Sequence, residues 1–354
     1  MSNMIFDALS SVQALLFSSN DSLSFGSSQV NGNNLSVTSN GVVTTLSSAG
    51  TSLSFPSLAI SSASQNGHVT FADGSNMITG TNGDDTLTGT DGNDVMYGLD
   101  GNDNLSAGAG HDYVIGGAGA DTISGGDGND HLYGFGPSSG SGDGADVISG
   151  GAGDDYLQGN AGADTLDGGD GNDRIMGGAD NDHITGGAGN DAINGNFGDD
   201  TIDGGLGDDI VRGGKGNDVI NGGDGNDQVY GDLGADTVTG GAGADTFHFG
   251  GNDAALASTT TLTGQLDTVT DFTSGEDHLA LGFHPASVIH ASSATLTDAL
   301  LTAQSLLTGS SNVVAVSVGS DTLLFYSASG GGAVDSVVDL QGVNAANLST
   351  TDFV

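Results

Sequence analysis

The chain has no cysteine and no tryptophan, and only three basic residues among 354. Without cysteine there is neither a disulfide nor a thiolate metal site. A net charge of −42 repels phosphate backbones and anionic lipid alike, so nucleic acid is excluded as a partner. No apolar run approaches the roughly 18 residues of a bilayer span, and no transmembrane segment is expected. The first residues hold no basic group and their short apolar stretch is broken by Asp7, unlike a cleaved secretory signal. That leaves a cytoplasmic chain, or one exported by a route that needs no N-terminal signal.

What the chain does hold is 65 Gly and 45 acids, of which only Glu276 is Glu. So acidic and aromatic-poor a composition stays disordered unless something neutralises it. Solvation would be served equally by Glu, so the bias towards the short carboxylate points to ligation close to the backbone. The acids are also unevenly placed. Residues 1–79 carry Asp7, Asp21 and Asp73 alone, 80–248 carry 32 Asp, and 249–354 return to a more ordinary apolar pattern.

The acidic stretch is a repeat of period nine. Six units begin at Gly80, Gly89, Gly98, Ala107, Gly116 and Gly125, and twelve more run from Ser141 to His248. Between the blocks lies GFGPSSG, 134–140, read as an extruded loop. Position six is Asp in all eighteen units: Asp85, Asp94, Asp103, Asp112, Asp121, Asp130, Asp146, Asp155, Asp164, Asp173, Asp182, Asp191, Asp200, Asp209, Asp218, Asp227, Asp236 and Asp245. Position eight is always apolar, from Leu87 to Phe247, and position four is Gly except at Asp180, where an Asp tolerating positive φ or an added ligand are the two readings. Glycines let the first half of a unit turn, and the last three residues, with one apolar side chain at their centre, form a short strand. Two units then close one coil, and coils stack about 4.8 Å apart.

Stacking sets the Asp of each unit beside that of the second unit on, among turn carbonyls. Such a set of hard oxygens suits calcium, not zinc or copper. The expectation is that all eighteen aspartates are metal ligands, in stacked pairs bridged by multiple calcium ions.

GGAGADTIS at 116–124 and its sister units resemble the RTX (GGxGxDxUx nonapeptide repeat) family of calcium-binding parallel β-rolls. The resemblance implies type I secretion through an ABC exporter, passage unfolded, and folding on extracellular calcium. DTFHFGGND at 245–253, DTVTDFTSGEDHLAL at 267–281, DTLLFYSASGGG at 321–332 and the terminal Asp352, Phe353 and Val354 resemble the capping and secretion-signal region of serralysin-type proteins. Ser327 and Ser329 stand where members of that group commonly carry Asp.

In the flanks, residues 4–16 predict a helix, either a cap on the first coil or a hook for a neighbouring molecule. LSVTS, GVVTTLSS, SLSF and HVTF read as short strands that continue the solenoid. A helix is expected over 296–307 and a hairpin over 312–326, turning at Gly319 and Ser320. Sorting outward positions seven and nine by unit parity places Tyr97, Tyr113, Tyr133, Tyr156, Tyr230, Arg174 and Arg212 on the even sheet, and Thr and Asp on the odd one. The even face has the composition of a contact surface, either for another molecule or for the chain's own ends.

Catalytic signals are weak. GPSSG at 136–140 fits G-x-S-x-G but lacks the strand-to-helix setting. There is no H-E-x-x-H, and His278, His284 and His290 match no zinc spacing. The reading is therefore an all-β parallel β-roll (RTX solenoid) over 80–248, with a short N-terminal helix and strand segment over 1–79 and a C-terminal β-rich cap with secretion signal over 249–354. It is a secreted, non-enzymatic, calcium-binding structural protein of the cell surface or matrix. Its partners are calcium, a type I exporter, further copies of itself in an oligomer, filament or layer, and cell-surface polysaccharide. The alternatives are a glycan- or ice-binding module, or a secreted hydrolase.

Overall fold

The computed structural model describes residues 75–135, 143–249, 266–307, 312–327, 334 and 336–354, together with the backbone of five strands between 36 and 71. The chain is a parallel β-solenoid divided into two compact units, residues 1–178 and 179–354.

In the first unit the odd repeats supply one parallel sheet, Thr86–Thr88, Asn104–Ala109, Thr122–Asp127, Val147–Ala152 and Thr165–Asp170, and the even repeats the other. Val147 pairs with Thr122, and Tyr156 with His131, so the insertion leaves parity unbroken. Position eight fills the space between the sheets, with Met96, Leu105, Val114, Ile123 and Leu132 buried. The even sheet continues through Asn76–Thr79, parallel to Val95–Asp100, and then through His68–Phe71 and Ile60–Ala63, which are antiparallel. Ser36–Ser39, Val43–Ser48 and Thr51–Pro56 instead form an antiparallel sheet of their own, so only the later strands of the N-terminal segment extend the solenoid. The helix expected over 4–16 and the centre of the insertion lie outside the described residues.

The sequence reading made the strands too short. A typical strand, such as Thr122–Asp127, runs six residues, through positions seven to nine and on through positions one to three of the next unit. The glycines at positions one and two belong to the strand, and the turn is confined to positions four to six.

In the second unit the odd sheet runs His183–Ala188, Thr201–Leu206, Val219–Asp224, Thr237–Ala242 and Asp267–Val269, all parallel. It ends in a cap of Ser336–Leu340, Asp321–Tyr326, Asn312–Val318 and Ser287–Ser293. The expected hairpin pairs Val318 with Asp321, and the expected helix spans Leu296–Leu306, with Thr295 as its N-cap. The helix lays Ala299, Leu300 and Ala303 on Val314, Val316, Leu323 and Phe325, covering a sheet that would otherwise end open. The even sheet runs Ala192–Phe197, Ile210–Lys215, Gln228–Leu233, Thr246–His248 and His278–Ala280, where Phe353 bridges to Leu279. No described helix is long and apolar enough to cross a membrane.

Candidate metal centre

The position-six aspartates stand at the end of each turn, just before the strand. Seventeen of the eighteen are buried; Asp85, in the first turn, is half-exposed. One carboxylate oxygen of each described pair reaches back one coil to a backbone amide. In the first unit the N–H of Asp94 donates to Asp112 Oδ1 at 2.6 Å, that of Asp112 to Asp130 at 2.8 Å, and, across the insertion, that of Asp121 to Asp146 at 2.8 Å. In the second unit Asp182 donates to Asp200 at 2.9 Å, Asp200 to Asp218 at 2.8 Å, and Asp227 to Asp245 at 2.9 Å. Each position-six aspartate thus stands beside that of the second unit on, and the contact between them runs from the N–H of one to a carboxylate oxygen of the next, not between the two carboxylates.

Among the described residues the second carboxylate oxygen has no hydrogen-bond partner at Asp103, Asp112, Asp121, Asp130 and Asp155, nor at Asp200, Asp209, Asp218 and Asp227. A carbonyl lies beside it. A Cβ added to Gly116 would overlap both Asp121 Oδ2 and the carbonyl oxygen of Gly134 in the next coil, and one added to Gly213 would meet Asp218 Oδ2 and, at 2.8 Å, the carbonyl oxygen of Gly231. At Gly116 and Gly213 close approach thus favours glycine at position one, although Ala107 occupies that position in its own unit, and the approach leaves a slot lined by one carboxylate oxygen and backbone carbonyls. Among the described residues no three His, Asp or Glu side chains converge to hold an ion, and His278, His284 and His290 form no such group. A site here draws instead on one or two carboxylates and several carbonyls, the all-oxygen set that fits calcium. Asp180 adopts φ 77°, the left-handed conformation glycine supplies elsewhere at position four.

Burial without a counter-charge raises the pKa of these carboxyls. Burial pushes Asp112 and Asp146 up to about 8, and the neighbouring aspartates of the column add to the rise against the opposing backbone hydrogen bond. Asp155, Asp209 and Asp218 are pushed up to about 7 by the same cause, and Asp121, Asp130 and Asp245 to about 6. Lifting a carboxyl by three units means that ionising it costs about 4 kcal/mol more than in water. With these eight carboxyls buried along the coils, burial and mutual repulsion oppose their joint ionisation, and the column needs protons or cations.

Two features escaped the sequence reading. Position five carries a second ladder of opposite polarity: Asn102 Oδ1 accepts the N–H of Ala120, Asp154 Oδ1 that of Asn172 and Asn217 Oδ1 that of Ala235, each one coil onward. The column also outruns the repeats. Asp236 N–H donates to Asp267 Oδ1 at 3.1 Å and Asp245 N–H to Asp277 Oδ1 at 3.0 Å. The signal was present in Asp267-Thr-Val and Asp277-His-Leu, which reproduce positions six to eight at irregular spacing.

Comparison with known proteins places this geometry. The RTX calcium-binding nonapeptide repeat matches in eight overlapping stretches that together span residues 72–134 and 141–253. No curated protein matches at a significant level. Solved structures do: a subunit of the mannuronan C5-epimerase of Azotobacter vinelandii is similar at 23% identity and a TM-score of 0.29, covering 50% of this chain and 78% of that one. The extracellular lipase LipA of Serratia marcescens is similar at 20% identity and a TM-score of 0.20, covering 78% of this chain but 39% of the lipase. The resemblance of the C-terminal region to serralysins finds no support in these matches.

Proposed function

Residues 72–134 and 141–253 belong to the RTX calcium-binding nonapeptide repeat family, and on that premise we propose that the chain is a secreted structural protein of the cell surface or matrix that condenses on extracellular calcium. The ligands in this reading are the eighteen position-six aspartates, joined by Asp267 and Asp277. One observation carries it: the buried column in which one carboxylate oxygen is tied to backbone while the other, at the nine aspartates named above, has no hydrogen-bond partner among the described residues. A bound cation supplies the missing charge and takes carbonyl oxygens as further ligands.

Export through a type I ABC exporter fits a fold that cannot form where calcium is scarce, since extracellular modules bind at about 10⁻⁴ to 10⁻³ M. Association with further copies and with surface polysaccharide belongs to the same reading. Circular dichroism of the whole chain tests it: a sheet signal that rises with millimolar calcium and collapses in chelator is expected, and one indifferent to both would overturn it. Assays for protease, lipase and glycanase activity on the calcium-loaded protein are expected to be blank.

A further inference from the structure

On the even sheet the side chains at positions seven and nine of each unit point away from the odd sheet, on the side opposite the core residue between them. In the first coils they are buried all the same. Val95 is 1% exposed and Tyr113 4%, Ile115 is buried as well, and so are Met77 and Thr79, which pair with Val95 and Tyr97. Tyr97 is partly exposed, yet its hydroxyl is buried with no hydrogen-bond partner among the described residues. The cover then thins along the sheet. His131 is exposed, and Tyr133 and Tyr156 are partly exposed. On the odd sheet of the same unit a position-seven valine, Val147, is 48% exposed.

Packing within the roll does not account for this burial. Neighbouring strands lie beside these side chains and the odd sheet lies behind them, so neither reaches their outer side. Tyr230 shows what lateral contact alone achieves: the Arg212 guanidinium lies 3.6 Å over its ring and His248 stacks on it at 3.9 Å, and the residue stays partly exposed. Tyr113 has looser neighbours, with Tyr133 at 5.3 Å and His131 at 6.4 Å between ring centres, and is nonetheless closed off. Its cover therefore lies over the outer side of the sheet, and it comes from the same chain, because the burial is that of a single copy.

The even sheet passes from Asn76–Thr79 to His68–Phe71 and Ile60–Ala63, so residues 1–59 leave the roll at the end where the cover is found, and they belong to the same compact unit. They hold two charges, Asp7 and Asp21, and begin with Ile5, Phe6, Leu9, Val12 and Leu16. Such a stretch is able to lie on Val, Ile and Tyr without burying a run of carboxylates. The insertion is a poorer occupant, since 136–142 is short, consists of Gly, Ser and Pro, and starts beyond Tyr133, where the cover has thinned. We propose that residues 1–59 fold back over the outer side of the even sheet and seat on Val95, Tyr97, Tyr113 and Ile115. The seat exists only on a folded roll, so this rests on the calcium reading above. It closes that end of the even face to other partners, and association with further copies then uses another surface.

The test is photocrosslinking of the full chain in millimolar calcium, with circular dichroism on every sample. The probe is introduced as Tyr97→p-benzoylphenylalanine on the covered face and, in a second variant, as Val147→p-benzoylphenylalanine on the odd face. Isotope-labelled and unlabelled chains are mixed, so that mass spectrometry separates bonds within a chain from bonds between chains. The Tyr97 probe is expected to give its main product with residues 1–59 of its own chain, and the Val147 probe at least tenfold less of it. Hydroxyl-radical footprinting of the unsubstituted chain guards against displacement by the bulky probe: Tyr113 is expected to be oxidised at least tenfold more slowly than Tyr156. A main product with another chain or with residues beyond 59, no product from Tyr97 under a full sheet signal, equal yields from the two probes, or equal oxidation of the two tyrosines overturns the proposal. A chain with no calcium-induced sheet signal would instead overturn the calcium reading, so the two failures are distinguishable.

Discussion

Asp94 and Asp112, one coil apart, are joined by a backbone hydrogen bond of 2.6 Å, while the outer oxygen of Asp112 is left buried with no partner from the chain. The first contact is always present; the second oxygen is satisfied only by something added. Asp112→Asn keeps the side chain's shape and removes the charge. In calcium it is expected to lose a ligand and destabilise the roll by about 2–4 kcal/mol, the cost of breaking a buried charged contact. In chelator, where the parent regains its sheet signal only on acidification, the same change removes a buried uncompensated charge, so the variant should regain that signal at a pH no lower than the parent's. Urea unfolding in calcium and a pH titration in chelator, both followed by circular dichroism, check the two effects. A variant that is less stable in calcium and also needs a lower pH in chelator would mean that Asp112 only props the backbone.

The raised pKa values give a pH dependence opposite to that of most acidic proteins. A carboxyl whose folded value lies above its unfolded one binds more protons when folded, so its contribution to stability is complete below the unfolded value, near 3.8, and is lost as pH rises through the folded value. For this column the loss falls between about 6, for Asp121 and Asp130, and about 8, for Asp112 and Asp146. In chelator, lowering the pH from 8 to 5 is therefore expected to restore sheet signal that calcium would otherwise provide. With calcium present the same acidification should weaken ion binding, because the proton and the ion compete for one oxygen. A calcium-free sample whose sheet signal falls on acidification would contradict this.

The position-five ladder makes a smaller claim. Asn217 accepts the N–H of Ala235 at 3.2 Å through Oδ1 and donates through Nδ2 to Asp199 at 3.2 Å. Asn217→Ala removes both exposed bonds and is expected to cost about 1 kcal/mol in calcium, with the calcium midpoint unmoved. Thermal unfolding alongside a calcium titration separates the two ladders, since a position-six variant shifts the midpoint and a position-five variant does not.

How far the fold was legible depended on which constraint each residue answered to. Parity was readable because a period of nine with one apolar centre admits only a two-strand coil; His131 opposite Tyr156 across the insertion follows from it. Strand length was misread because Gly116 and Gly117 look like turn residues, yet Gly116 is glycine on account of the close approach of Asp121 and the Gly134 carbonyl. Asp267 and Asp277 were missed because the spacing that identified the others breaks down after His248. Asn102 and Asn217 were missed because an exposed Asn carries no sign of the amide it accepts until the coils are stacked. At the even face the composition announced a contact surface, but only the stacking of Tyr230 between Arg212 and His248 shows that its rings are already engaged.

The last coil closes on residues 349–353, and that closure is testable. Asp352 accepts hydrogen bonds from Ser274 Oγ at 3.0 Å, from Gly275 N at 2.9 Å and from Ser349 N at 2.6 Å, and it is buried. Phe353, 2% exposed, bridges to Leu279, while the turn that receives Asp352 is held by Asp277 through the N–H of Thr273 at 2.7 Å. The turn that carries the final aspartate of the column is thus also the one that binds the terminus. Asp352→Ala leaves the N–H groups of Gly275 and Ser349 without this acceptor, and Phe353→Ala opens a cavity beside Leu279; each is expected to cost about 2–4 kcal/mol. Because the damage lies at the end of the solenoid, it should fray the cap first. Hydrogen exchange in calcium is then expected to lose protection over 271–281 in both variants while 182–227 keeps it. Uniform loss along the whole unit would instead mean that the terminus governs the stability of every coil.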